Sequence, residues 1–154
     1  MRRIYRLDSD YETDEINEII ENLPNPTKQI LVDFAESLDF LVEVCLKEDG
    51  TYSRTEGKEI MIVVLDEWEK KKILEFTDLV YDNKRYSMKD ISEDVLFGKH
   101  SEKNYPGVEE KVKEIFDTYL DMYLDHDVVL DKINMYGMPS LSERDKKVLE
   151  SANI

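Results

Sequence analysis

Residues Glu59–Leu65 read EIMIVVL and run straight into Asp66-Glu67-Trp68-Glu69, and the reading of this junction decides the fold class. One continuous helix from Ile60 onward would point to an all-helical chain. Ile60, Ile62, Val63 and Val64 argue otherwise, because β-branched side chains lose χ1 freedom against a helical turn and pack well on a pleated surface. Asp66 and Glu69 then form a reciprocal capping pair, which is a helix-start signature. The junction therefore reads as a strand, apolar on both faces and the most buried of the chain. The helix after it turns Trp68, Ile73, Phe76, Leu79 and Val80 toward the core.

Toward the N-terminus, Phe40, Val42, Val44 and Leu46 alternate with Leu41, Glu43, Cys45 and Lys47, the period of a half-buried strand. This strand is expected to pair antiparallel with 59–65 across a tip rich in Gly, Ser, Thr and Tyr, after the turn signal Lys47-Glu48-Asp49-Gly50. Pro24-Asn25-Pro26 starts a helix running to Ser37, with Ile30, Leu31, Phe34 and Leu38 as its buried residues. Ser9–Leu23 reads as an earlier helix, capped by Ser9 with Glu12. Arg2–Leu7 reads as a short edge strand with its arginines toward solvent, or as an ordered arm. Toward the C-terminus, Tyr86–Leu96 reads as a short helix ended by Phe97-Gly98, then comes a polar loop with an exposed His100. Gly107–Ile133 follows as one long helix, and Leu141–Ser151 closes the chain with Ser140 or Ser142 as cap. The expected fold is α+β: a mostly helical single domain over 1–154, with a small antiparallel hairpin (strands near 39–47 and 59–65) packed against helices.

The 154 residues suit one domain with a real core. A formal net charge of -15 and a pI near 4.5 argue against direct binding to nucleic acid or an anionic membrane and for a basic protein partner. Cys45, between Val44 and Leu46, is the single cysteine, which excludes an internal disulfide, suits a reducing cytoplasm and reads as a buried thiol. The N-terminus MRRIYRLDSD has no apolar core of a secretory signal, and no run approaches the ~18 apolar residues of a membrane span. Oligomeric state is left open.

The long helix carries the most unusual charge pattern. At about 100° per residue, Val108, Val112, Ile115, Phe116, Tyr119, Met122 and Tyr123 share an apolar face. Glu110, Glu114, Asp117, Asp121 and Asp125 fall opposite, within roughly 80°. Like charges one turn apart cost an isolated helix about 0.2–0.5 kcal/mol per pair, so this row costs on the order of 1–2 kcal/mol. Its length of about 22 Å and its spacing resemble the charge ladder of a nucleic-acid strand, with about one phosphate per 3.4 Å. Between Asp8 and Glu21 lie seven acidic residues and no basic one. Helix-dipole complementation accounts for the first of them but not for Glu18 and Glu21. These seven positions, five on the long helix plus Glu18 and Glu21, are the candidate partner-binding residues. The alternative is a solubilising surface with no partner.

Catalytic and metal chemistry find little footing. The serines lack a nucleophile-elbow context and the glycines a phosphate-binding spacing, and no cofactor is implied. Asp125-His126-Asp127 with Asp131 offers ligand types, but adjacent helical residues diverge by about 100°, so the segment reads as a helix end. Asp121 and Asp125 have the spacing of a shared divalent site without a facing acidic pair. Tyr52, Tyr81, Tyr86 and Tyr105 lie in loop-like stretches as candidate interface anchors.

Asp131-Lys132-Ile133, Gly137, Ser140-Leu141-Ser142, Lys146 and Leu149 together resemble the short tail module that ends some rhomboid-type membrane proteins of bacteria, especially Bacteroidetes. The resemblance covers the last two dozen residues and departs at Met138-Pro139. It implies a helical docking element over 131–154 and a bacterial or phage source, and it transfers no protease activity. The functional expectation is a non-enzymatic acidic inhibitor, of immunity, anti-restriction or anti-CRISPR type, that blocks a basic nucleic-acid-handling protein by mimicry. An intracellular adaptor or secretion-chaperone-like module with an apolar groove is the second expectation. A small metal-dependent hydrolase using Asp125 and His126 is the third.

Overall fold

A computed structural model describes residues 2–9, 40, 43–44, 47–55, 58–80 and 86–152. Four strands form one antiparallel sheet in the order β2-β3-β1-β4: β1 (Arg3–Ser9), β2 (Gly50–Thr55), β3 (Lys58–Leu65) and β4 (Tyr86–Asp90). The helices are α1 (Glu67–Val80), α2 (Ser92–Leu96), α3 (Glu109–Tyr123), α4 (His126–Tyr136) and α5 (Glu143–Ala152). Short 3-10 turns occupy Glu102–Asn104 and Met138–Ser140. The fold is α+β.

The decisive junction folds as a strand and a helix. Met61 to Leu65 are all buried, and Asp66 and Glu69 cap α1 reciprocally: Glu69 N–H donates to Asp66 Oδ1 at 2.8 Å and Asp66 N–H to Glu69 Oε1 at 3.0 Å. Because side chains alternate across a strand, β3 serves two cores. Ile62 and Val64, with Ile4 of β1, pack against Ile91, Val95, Val112, Ile115, Phe116 and Tyr119 from the helices α2 and α3 and the segment before α2. On the other face lie Tyr5, Leu7, Met61, Val63 and Leu65, with Ile73 of α1 also buried. The α1 ammonium of Lys70 sits 5.5 Å from the Tyr5 ring centre, which places α1 over this face.

Several expectations need correction. β1 is a central strand, paired with β3 from Arg3↔Leu65 to Ser9↔Glu59 and with β4 from Tyr5↔Asp90 to Ser9↔Tyr86. Arg2 and Arg3 read as solvent-facing because their partners are distant in sequence, whereas Arg6 pairs with its near neighbour Asp8. Arg2 pairs with Glu69 at 2.9 Å and donates to the Val64 carbonyl at 2.9 Å, Arg3 pairs with Asp90, and Arg6 with Asp8 at 3.0 Å. Ser9 ends β1 and does not begin a helix. The strand paired with β3 across the hairpin is Gly50–Thr55, which had read as the tip, whereas Phe40, Glu43 and Val44 are helical. A short apolar run cannot fix its own period. Tyr86–Asp90 is a strand because β1 offers it a ladder of hydrogen bonds, and the expected helix begins only at Ser92.

Trp68 is exposed, not core-facing. Apart from Ser9, the first two expected helices lie outside the described residues, as do Cys45 and Tyr81.

The expected helix 107–133 is two helices. Leu124 and Asp125 are extended, and the Asp125 carboxylate accepts the Val128 N–H at 2.9 Å as N-cap of α4. Aspartate favours that position because its side chain satisfies an otherwise unpaired helix-end donor. α3 docks onto the start of β1 through two tyrosines: Tyr119 donates to the Arg2 carbonyl at 3.2 Å, and the Arg2 N–H donates to Tyr123 Oη at 3.3 Å. Met122, at the edge of the apolar arc in the last turn of α3, is exposed. α4 stops at Gly137, whose φ of +81° suits glycine.

Candidate partner-binding surface

The inward face of α3 buries Val112, Ile115, Phe116 and Tyr119, which forces its acidic residues outward. Glu110 and Glu114 are exposed and carry no ion pair among the described residues. Asp117 and Asp121 are bridged from α5. Arg144 donates to the Asp117 carbonyl at 3.1 Å, to Asp117 Oδ1 at 3.3 Å and to Asp121 Oδ1 at 3.1 Å. A planar guanidinium fits such multiple acceptors, but the Asp121 side chain remains 75% exposed, so the pairing is solvent-screened. Asp125 leaves the row, because the helix breaks before it and its carboxylate caps α4. The continuous ladder is thus Glu110, Glu114, Asp117 and Asp121, about 17 Å long and partly neutralised at its C-terminal end. Glu18 and Glu21 lie outside the described residues.

A second polar cluster joins β1 to the loop before α3. The Arg6 guanidinium grips Asp8 and lies 5.3 Å from the centre of the buried Tyr105 ring. Tyr105 Oη is 2.8 Å from His100 Nε2, and the imidazole packs edge-on against Phe116. Burial pushes the Tyr105 phenol up to about 12. Burial, with Arg6 nearby, lowers the His100 pKa. A phenol that stays protonated and an imidazole that stays neutral at pH 7 make no activated acid–base pair. The cluster locks the 98–106 loop onto the sheet. His100 is therefore half-buried and engaged, and Tyr105 is a core residue and no surface anchor. Tyr52 is exposed at 53%.

Asp125, His126 and Asp127 are all exposed, and no group of three or more His, Cys, Asp or Glu residues among the described residues converges as metal ligands. No helix among them is long and apolar enough to cross a membrane.

The residues carrying the tail resemblance form a helical hairpin. Buried Lys132 of α4 pairs with buried Asp145 of α5 at 2.7 Å. Ser142 and Asp145 cap α5 reciprocally, at 3.1 and 2.8 Å. Burial alone would raise the Asp145 pKa, but Lys132 and Ser142 outweigh it and hold the carboxyl below its ordinary value. Arg144, which changes the charge of the acidic row, was missed from sequence because its partners lie more than 20 residues away. The i,i+4 spacing of Asp117 and Asp121 was the available signal.

No protein family, curated protein or solved structure matches this chain.

Proposed function

We propose that the chain is a non-enzymatic acidic inhibitor that occupies the nucleic-acid groove of a basic protein with the α3 ladder Glu110, Glu114, Asp117 and Asp121. The supporting observation is the outward pair Glu110 and Glu114, unpaired among the described residues, on a chain of net charge -15. Arg144 illustrates the contact: a guanidinium bridges carboxylates on successive turns of the same row. The partner's arginines would engage Glu110 and Glu114 directly and compete with Arg144 for Asp117 and Asp121. Long-range attraction would make association fast and salt-sensitive. This reading places the protein in the cytoplasm of a bacterium or in a phage-infected cell, where its target works.

Immobilised chain should retain a basic nucleic-acid-binding protein at low salt, and added duplex DNA or RNA should release it. A retained protein whose own nucleic-acid binding continues undiminished contradicts the mimicry.

A second reading, an intracellular adaptor or secretion-chaperone-like module, is favoured by a hollow of about 460 Å³ on α1 lined by Glu67, Trp68, Lys70, Lys71 and Leu74. Trp68 is 63% exposed there. Clients held in that hollow should stay bound in high salt and be lost with Trp68→Ala.

A further inference from the structure

We infer that residues 98–104 form an acid-released flap, hinged at Gly98 and held shut by the side chain of His100. Along this segment Lys99, Ser101, Lys103 and Asn104 are exposed and Glu102 is half-buried. Its bonds are local: the Lys103 N–H donates to Ser101 Oγ at 3.2 Å, the Asn104 N–H to the Ser101 carbonyl at 3.2 Å and the Tyr105 N–H to the Glu102 carbonyl at 3.1 Å. His100 is the one side chain of the segment that bonds into the core, to the fully buried Tyr105, and its ring also meets Phe116 edge-on. The two ends are fixed independently of it. The Gly98 and Lys99 N–H groups donate to the Val95 and Asp94 carbonyls at 3.1 and 2.7 Å, and Ser53 of β2 donates to the Pro106 carbonyl. Gly98, at φ +70°, supplies the turn between α2 and the flap.

The latch works only while the imidazole is neutral. Tyr105 Oη lies 2.8 Å from His100 Nε2, and the Arg6 guanidinium lies 5.3 Å from the centre of the same phenol ring. Arginine carries only donors, so the phenol proton goes to the Nε2 of a neutral imidazole. A protonated ring carries donors on both nitrogens, and the buried phenol proton would lose its acceptor. The surrounding charges do not compensate. Arg6 of β1 and Lys89 of β4 oppose a charge on His100, Asp8 of β1 and Asp94 of α2 favour it, and the un-ionised Tyr105 phenol and Phe116 of α3 bring none. With two cations set against two carboxylates, burial decides, and it disfavours the charged ring. Swinging the flap out about Gly98 returns the imidazolium to water and uncovers the Tyr105 and Phe116 rings. Neutral His100 therefore keeps the flap shut above pH 6.5, and the opening equilibrium rises about tenfold for each pH unit below 6.5 until the depressed closed-state value is reached. A single 3-10 turn freed from the core has no packing to hold it, so its bonds fray on opening.

The flap does not involve the outward carboxylates of α3, so it stands or falls apart from the inhibitor reading. Its test is amide hydrogen exchange by NMR on the full chain at about pH 7.5 and about pH 5.5, expressed as protection factors, which remove the intrinsic pH dependence of exchange. Protection at Asn104 and Tyr105 should fall several-fold on acidification, with about tenfold as the ceiling, while the β3 amides paired with β1 keep theirs. The ring protons of His100 should titrate below pH 6.5. His100→Gln, uncharged throughout, should lose the pH response, and His100→Ala should show low protection at both pH values. Protection at Asn104 and Tyr105 that ignores pH in the native chain, an equal loss across β3, a pH response retained by His100→Gln, full protection in His100→Ala, or titration of His100 at or above pH 6.5 would each overturn the proposal.

Discussion

At the scale of single residues, the side chains that matter most are polar and buried. Lys132 and Asp145 are 4% and 1% exposed, and their contact joins α4 to the cap of α5. Breaking a buried ion pair by removing one partner is costly because the other charge stays desolvated. Lys132→Met should therefore lower unfolding free energy by about 3 kcal/mol in a denaturant titration; a loss within error would show that the pair is dispensable. His100 sets a pH dependence. Burial and Arg6 lower its folded pKa, while Asp94 and Asp8 oppose the shift and Lys89 reinforces it. The unfolded chain then binds the proton more readily, so the contribution is complete above pH 6.5 and is lost as pH falls through the depressed folded value. Melting temperature should drop below pH 6.5 in the native chain, and His100→Gln should flatten that slope. A further fall below pH 3.8 should remain in both, because Asp90 and Asp145 also have lowered pKa values.

At the scale of elements, local signals were legible and non-local ones were not. The Asp66–Glu69 cap and the β3-to-α1 change of period could be read because each is decided within a few residues. β1 and β4 were not legible as a central strand and its neighbour, since Arg3 looks solvent-facing until Asp90, 87 residues along the chain, is folded against it. The 40–47 stretch alternated like a strand, yet Phe40, Glu43 and Val44 are helical; Phe40 meets Trp68 edge-on. The wheel that placed Asp125 in the acidic row assumed an unbroken helix. Its own capping chemistry ends that assumption, although Asp125-His126-Asp127 did read as a helix end. Asp125→Ala should cost about 1 kcal/mol of stability without weakening partner binding. A partner-affinity loss with unchanged stability would return Asp125 to the ladder.

At the scale of the whole molecule, two outward helix faces differ in kind. α3 presents carboxylates with one internal counter-cation, and α4 presents the exposed Asp127 and Asp131 between Leu130 and Met135. The net charge of -15 was plain in the sequence and orients both toward cationic partners. Where the charge is concentrated was only partly legible, because Arg144 belongs to a helix far along the chain. Arg144 also makes the ladder asymmetric, so its free end, Glu110 and Glu114, should dominate recognition. The most direct test is the dissociation constant of the complex with a retained basic partner, measured for native chain and for Glu110→Lys with Glu114→Lys at low and high salt. The account predicts about 100-fold weaker binding for the charge-reversed chain at low salt, converging with the native chain as salt rises. Equal dissociation constants for the two chains at low salt would contradict it.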